Sequence, residues 1–168
     1  MNITKTAIAV VTSAAAFAGT AWGGAGVATA DILSFEFTVK VQNQGNGEFL
    51  DHTHSPHVQT APSNVHQDWT FKEVGETREG VGIYTIRWGD VSCLTDLGSP
   101  KGTVLLTHCD RDVSSQRWIV DVSQEYTTIV PQDDESRALQ TNDHDAYVTL
   151  TPLGSAPTPR QSWTLLQE

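Results

Sequence analysis

Basic residues are scarce in this chain, which carries 10 Lys and Arg against 20 Asp and Glu for a formal net charge of −10 at pH 7. A surface of that sign repels phosphate backbones and anionic head groups, so no nucleic-acid partner and no purely electrostatic membrane association is expected. Long apolar runs are missing too, outside the first thirty residues. There Lys5 precedes an apolar, small-residue stretch from Ala7 to Val27 that leads into Ala28-Thr29-Ala30. This is the layout of a secretory signal, and residues 1–30 are read as one, cleaved before Asp31. Their Gly, Ala and Thr content makes them weakly apolar for a membrane anchor. The expected mature part, residues 31–168, is one secreted, extracellular domain large enough to bury its own core.

Cysteine is nearly absent, with only Cys93 and Cys109. Export would carry both into an oxidising compartment where a bridge persists. They enclose 15 residues, and closing a loop of that size is worth about 3 kcal/mol in the chain-entropy model. A metal held by two thiols so far apart would need further ligands. Catalytic templates are lacking as well: there is no Gly-x-Ser-x-Gly, no His-Glu-x-x-His and no phosphate-cradling glycine loop. The run Asp133-Asp134-Glu135 reads as a solvated acidic turn, without the pocket that raises one carboxyl group for glycosidase chemistry. The chain is therefore read as a non-enzyme with no cofactor.

What is present is alternation. Apolar residues recur with period two in Phe35, Phe37, Val39 and Val41, in Tyr84, Ile86 and Trp88, and in Trp118, Val120 and Val122, which predicts strands with one buried face. Turn-forming clusters such as Asn43-Gln44-Gly45-Asn46-Gly47 and Gly98-Ser99-Pro100-Lys101-Gly102 separate them. No sustained 3.6-residue repeat follows Asp31, so the domain is expected to be all-β.

Three signals recur in one order. A pair ending in Leu appears at Phe49-Leu50, Cys93-Leu94 and Ala138-Leu139; a short alternating segment begins at Val58, Val104 and Val148; and each unit closes with Gln-x-Trp, at Gln67-Asp68-Trp69, Gln116-Arg117-Trp118 and Gln161-Ser162-Trp163. The period of about 45 residues predicts three units, near 35–78, 79–123 and 124–168. One such unit cannot bury its apolar face alone, whereas three around a pseudo-threefold axis enclose a common core.

These motifs, with the segment from Cys93-Leu94-Thr95 to His108-Cys109 that runs on into Gln116-Arg117-Trp118, resemble the ricin B-type β-trefoil, a lectin-like family. The likeness extends over roughly residues 35–167. The resemblance implies a β-trefoil, a glycan or glycoprotein ligand, and a shallow sugar pocket in each unit. In the family such a pocket has an Asp after the Cys-Leu pair, an aromatic platform a dozen residues on, and polar groups near the Gln-x-Trp. A carboxylate accepts bonds from adjacent hydroxyls and a ring packs on the sugar's C–H face. Carried over residue by residue, the Asp is Asp51 in the first unit, Thr95 with Asp96 beside it in the second, and Gln140 in the third. The platform positions hold Thr107 and Thr151 and are shortened near Thr60 and Ala61; the Asn before the motif Gln is replaced by His66, Ser115 and Arg160. The carbohydrate-contacting residues expected on this basis are Asp51, Gln67, Asp96, His108 and Gln116, with His108 as a substitute ring.

The stretch His52-Thr53-His54-Ser55-Pro56-His57, with His66 nearby, concentrates imidazoles. In an extended strand His52 and His54 would share a face, but no second ligand group is defined elsewhere, and no metal is expected. Two functional alternatives stand beside the lectin reading. One is a β-trefoil protease inhibitor acting through the loops Gly98–Gly102 and Gly154–Pro159. The other is an adhesion or delivery subunit that partners another secreted protein in a larger assembly.

Overall fold

The computed structural model describes residues 35–63, 66–142 and 146–167; the leader read in residues 1–30 lies outside them. The alternating segments form β1 (Glu36–Asn43), β2 (Phe49–Asp51), β3 (Gln59–Ala61), β4 (Asp68–Glu76), β5 (Gly82–Trp88), β6 (Ser92–Asp96), β7 (Val104–His108), β8 (Arg117–Ile119), β9 (Val130–Pro131), β10 (Arg137–Gln140), β11 (Thr149–Pro152) and β12 (Trp163–Leu166). Six of these close a barrel. Strand β12 pairs with β1, β1 with β4, β4 with β5, β5 with β8 and β8 with β9, all antiparallel. The bridge Thr127↔Trp163 completes the ring. The hairpins β2–β3, β6–β7 and β10–β11 cap it. A closed barrel with three capping hairpins is a β-trefoil, and closure leaves the barrel strands no free edge.

The repeated residues account for this packing. Trp69, Trp118 and Trp163 are fully buried, with Leu50, Leu94 and Leu139 against them. Each indole Nε1–H donates to the carbonyl of its own unit's leucine, at 2.9, 2.9 and 3.0 Å. A large apolar ring can therefore sit in the core with its one polar atom satisfied. Val58, Val104 and Val148 are buried where the hairpins meet. Backbone bonds stitch the hairpins together there, from Val148 N–H to the Val58 carbonyl at 2.9 Å, from Leu106 to Pro56 at 2.7 Å and from Leu150 to Gly102 at 2.8 Å. Cys93 and Cys109 form a disulfide across the base of the β6–β7 hairpin.

Two local expectations need correction. The strand expected through Val120 and Val122 ends at Ile119. Both valines remain buried, but the Asp121 carboxylate accepts the Ser123 N–H and hydroxyl at 3.1 and 2.6 Å, which draws the backbone into a turn. The motif glutamines of the second and third units end one-turn 3-10 helices, Ser114–Gln116 and Pro159–Gln161, that no apolar periodicity announced.

Candidate functional site

Each unit carries a short polar chain where the family's sugar pocket is expected. In the second unit the Thr107 hydroxyl lies 2.7 Å from that of Thr95 and accepts Gln116 Nε2–H at 2.9 Å. In the third, Thr151 donates to Gln140 Oε1 at 2.9 Å and accepts Gln161 Nε2–H at 2.9 Å. A threonine at the platform position thus ties the residue after leucine to the motif glutamine, and these polar groups bond to one another. In the shortened first unit no threonine intervenes, and Gln67 Nε2 reaches the Asp51 carboxylate directly at 3.4 Å.

The glutamines also clamp their hairpins. Gln67 donates to the Pro62 carbonyl at 2.8 Å, Gln116 to His108 at 2.8 Å and Gln161 to Pro152 at 3.0 Å, and all three side chains are buried. Gln116 Oε1 further accepts the Asp110 N–H at 2.8 Å. These bonds repeat around the barrel, which identifies the glutamine as a tie between hairpin and barrel strand.

The two aspartates differ in what they hold. Asp96 is buried; one oxygen accepts the Gly98 N–H at 2.8 Å and the other pairs with Arg137 at 2.9 Å, joining the second unit to the third. Arg137 also binds Asp134, whose carboxyl is held below its ordinary range by the Ser136 hydroxyl and by Arg137. Asp51 is fully buried and accepts the Thr53 N–H at 2.8 Å, starting the turn that follows β2. His108 is exposed at the end of β7, opposite Ser92.

That turn overturns the extended reading of the histidine stretch. Residues 53–56 form a hydrogen-bonded turn, His54 is exposed, and His52 alone is buried. The His52 ring stacks on Trp88 at 4.1 Å and 27°, and meets the edges of His66 at 5.6 Å and Trp69 at 5.9 Å. Burial holds its pKa below 6.5 against the opposing charge of Asp51. Among the described residues no three His, Cys, Asp or Glu side chains are placed to hold a metal ion. Trp88, 39% exposed, is the residue that sequence reasoning did not single out as functional. It ends β5 in the second unit yet packs on the histidine of the first, so an exposed indole, His52 and His66 form a ring cluster next to Asp51, which is buried and bonded to Gln67. A ring beside imidazole and amide donors can pack on an apolar sugar face and bind its hydroxyls.

With this geometry in hand, likeness to solved structures is informative about the fold. No protein-family model and no curated protein matches the chain. Among solved structures it is similar to ThreeFoil, a designed threefold-symmetric protein, at 17% identity and a TM-score of 0.63, covering 78% of this chain and 99% of that one. It is similar to a ricin B-like lectin of Macrolepiota procera solved with lactose, at 18% identity and a TM-score of 0.59, covering 79% and 96%. A third is the GlcNAcα1-4Gal-releasing endo-β-galactosidase of Clostridium perfringens, at 14% identity and a TM-score of 0.60, with 80% of this chain covered but only 32% of the enzyme. The fold is thus the β-trefoil. It occurs both as nearly the whole of a lectin and as a minor part of a longer enzyme.

Proposed function

We propose that the protein is a secreted carbohydrate-binding β-trefoil whose saccharide site is the ring cluster of Trp88, His52 and His66 beside the first unit. The observation that carries this reading is the exposed Trp88 ring stacked on His52, the residue that follows the buried, Gln67-bonded Asp51. A pyranose packs its C–H face on the indole while His66 and the hairpin backbone meet its hydroxyls. Asp51 and Gln67 act indirectly, holding the turn and the hairpin that set the place of His52. The second and third units, with Asp96, His108 and Gln116, serve the fold. The lactose-bound lectin of the same fold supports the ligand class.

A glycan array read with the wild-type protein and with Trp88→Ala tests this. The expected result is binding to a subset of neutral glycans, weakened at least about tenfold in the variant with unfolding midpoint retained, since an exposed ring contributes little to the core. Unchanged binding in the variant removes the site, and no binding to any glycan removes the lectin reading. The share of the endo-β-galactosidase occupied by this fold favours a second role, as a targeting module beside a secreted enzyme. Co-purification of a hydrolase on gel filtration would reveal it.

A further inference from the structure

Four of the chain's few cations meet in one open groove of about 930 Å³, none of whose lining residues belongs to the ring cluster just described. Its floor follows from strand register. Lys72 on β4 pairs with Thr85 on β5, and Thr85 pairs in turn with Arg117 on β8. Residues in one cross-strand row share a face, and Arg87, two positions after Thr85, joins them by alternation. Neighbouring strands stand 4.7–4.9 Å apart, so Lys72 and Arg117 flank Thr85 about 10 Å apart at the backbone, within reach of a common ligand. The disulfide between Cys93 and Cys109 walls one side, and the irregular register between Glu73 and Gly75 brings Val74 to the other, 48% exposed.

Charge is layered in this groove. Lys72, Arg87 and Arg117 are half-buried, whereas the carboxylates Glu76, Asp90 and Asp110 and the fourth cation, Arg111, are exposed at the rim. The half-buried Glu73 is in register with the inward-facing Tyr84, whose phenol burial and Glu73 together push up to about 12. Arg87 pairs with Glu36 at 2.8 Å, but neither Lys72 nor Arg117 is in an ion pair among the described residues. Arg117 instead donates to the carbonyl of Arg111, another lining residue, at 2.9 Å. Two half-buried cations with no ion pair among the described residues, on the two strands that flank β5, repel each other until an anion sits between them.

We infer that this groove binds the oxyanion substituent of an acidic saccharide, a sulfate or carboxylate held between Lys72 and Arg117. The volume suits a sugar of one or two rings rather than a bare ion. The saccharide part of the inference rests on the proposed function, whereas the anion part rests on the groove alone. Trp88 follows Arg87 and so points to the other face of β5, which keeps the two sites separate.

Calorimetric titration of the full chain with N-acetylglucosamine 6-sulfate, N-acetylglucosamine and inorganic sulfate tests it. The sulfated sugar should bind more tightly than both others, more weakly as salt rises, and at least about tenfold more weakly in Lys72→Gln/Arg117→Gln. Asp90→Asn, which removes a rim carboxylate without touching the floor, should tighten binding. Trp88→Ala should leave it unchanged, so loss of neutral-glycan binding and loss of anion binding are read independently. Equal affinity for the sulfated and neutral sugars, or for sulfated sugar and sulfate, overturns the proposal. So does binding unaffected by the double variant while circular dichroism shows it folded.

Discussion

An indole buried in the core is stable only if its N–H has a partner, and each motif tryptophan finds one at the leucine carbonyl of its own unit. Replacing Trp118 by Phe removes ring volume and strands the Leu94 carbonyl, and is expected to cost about 2–4 kcal/mol by urea unfolding. His52 offers a second residue-scale test. Burial lowers its folded pKa below the unfolded value of 6.5, so the unfolded chain binds the proton more readily. The stability linked to it is complete above pH 6.5 and is lost as pH falls from there through the folded pKa. Thermal unfolding at pH 7 and pH 5 should therefore show a smaller loss in His52→Phe, which keeps a stacked ring that cannot titrate. The tryptophans and leucines were legible because identical residues recur at one period. The Trp88–His52 contact was not, because it joins two units and neither residue repeats. The threonines that bond the motif glutamines of the second and third units were visible only as missing aromatics; their role depends on hydroxyl geometry that spacing does not encode.

At the scale of strands and hairpins, the places where units meet are the most constrained. Gly102 has a φ of +65°, and a Cβ there would lie 2.0 Å from the Leu150 carbonyl oxygen. Gly98 has a φ of +62° but open space around it. Alanine at 98 should cost only the backbone penalty, about 1–2 kcal/mol. Alanine at 102 should cost at least about 2 kcal/mol more, because the β7 and β11 hairpins must part and the Leu150 to Gly102 bond is lost. Equal denaturation midpoints for the two variants would show that the hairpins yield freely. Strand existence was readable from alternation at β1 and β7, where buried and open positions follow period two. At β5 the alternation failed at both ends: Gly82, Ile83 and Tyr84 are buried in succession, and Trp88, expected on the buried face with Tyr84 and Ile86, is 39% exposed. Strand ends were not. Asp121 and Asp51 each stop an extended segment by capturing backbone N–H groups two residues on, a competition that the hydrophobic pattern does not register.

For the whole molecule, the excess of acid sets the long-range balance. At a formal net charge of −10 the folded chain repels itself more than the expanded one does. Raising sodium chloride from about 20 mM to about 500 mM, which shortens the Debye length from roughly 20 Å to about 4 Å, should raise the melting temperature. A fall instead would mean that the pairs Arg87–Glu36 and Arg137–Asp96 outweigh the general repulsion. The barrel that carries this charge has one further property. In each Gln-x-Trp the flanking residues are buried, while the middle one, Asp68, Arg117 or Ser162, is exposed or half-exposed. The three lobes therefore each offer an editable position at the same point of the frame. A single substitution there changes what one lobe presents to solvent and leaves the shared core, and the other two lobes, as they were.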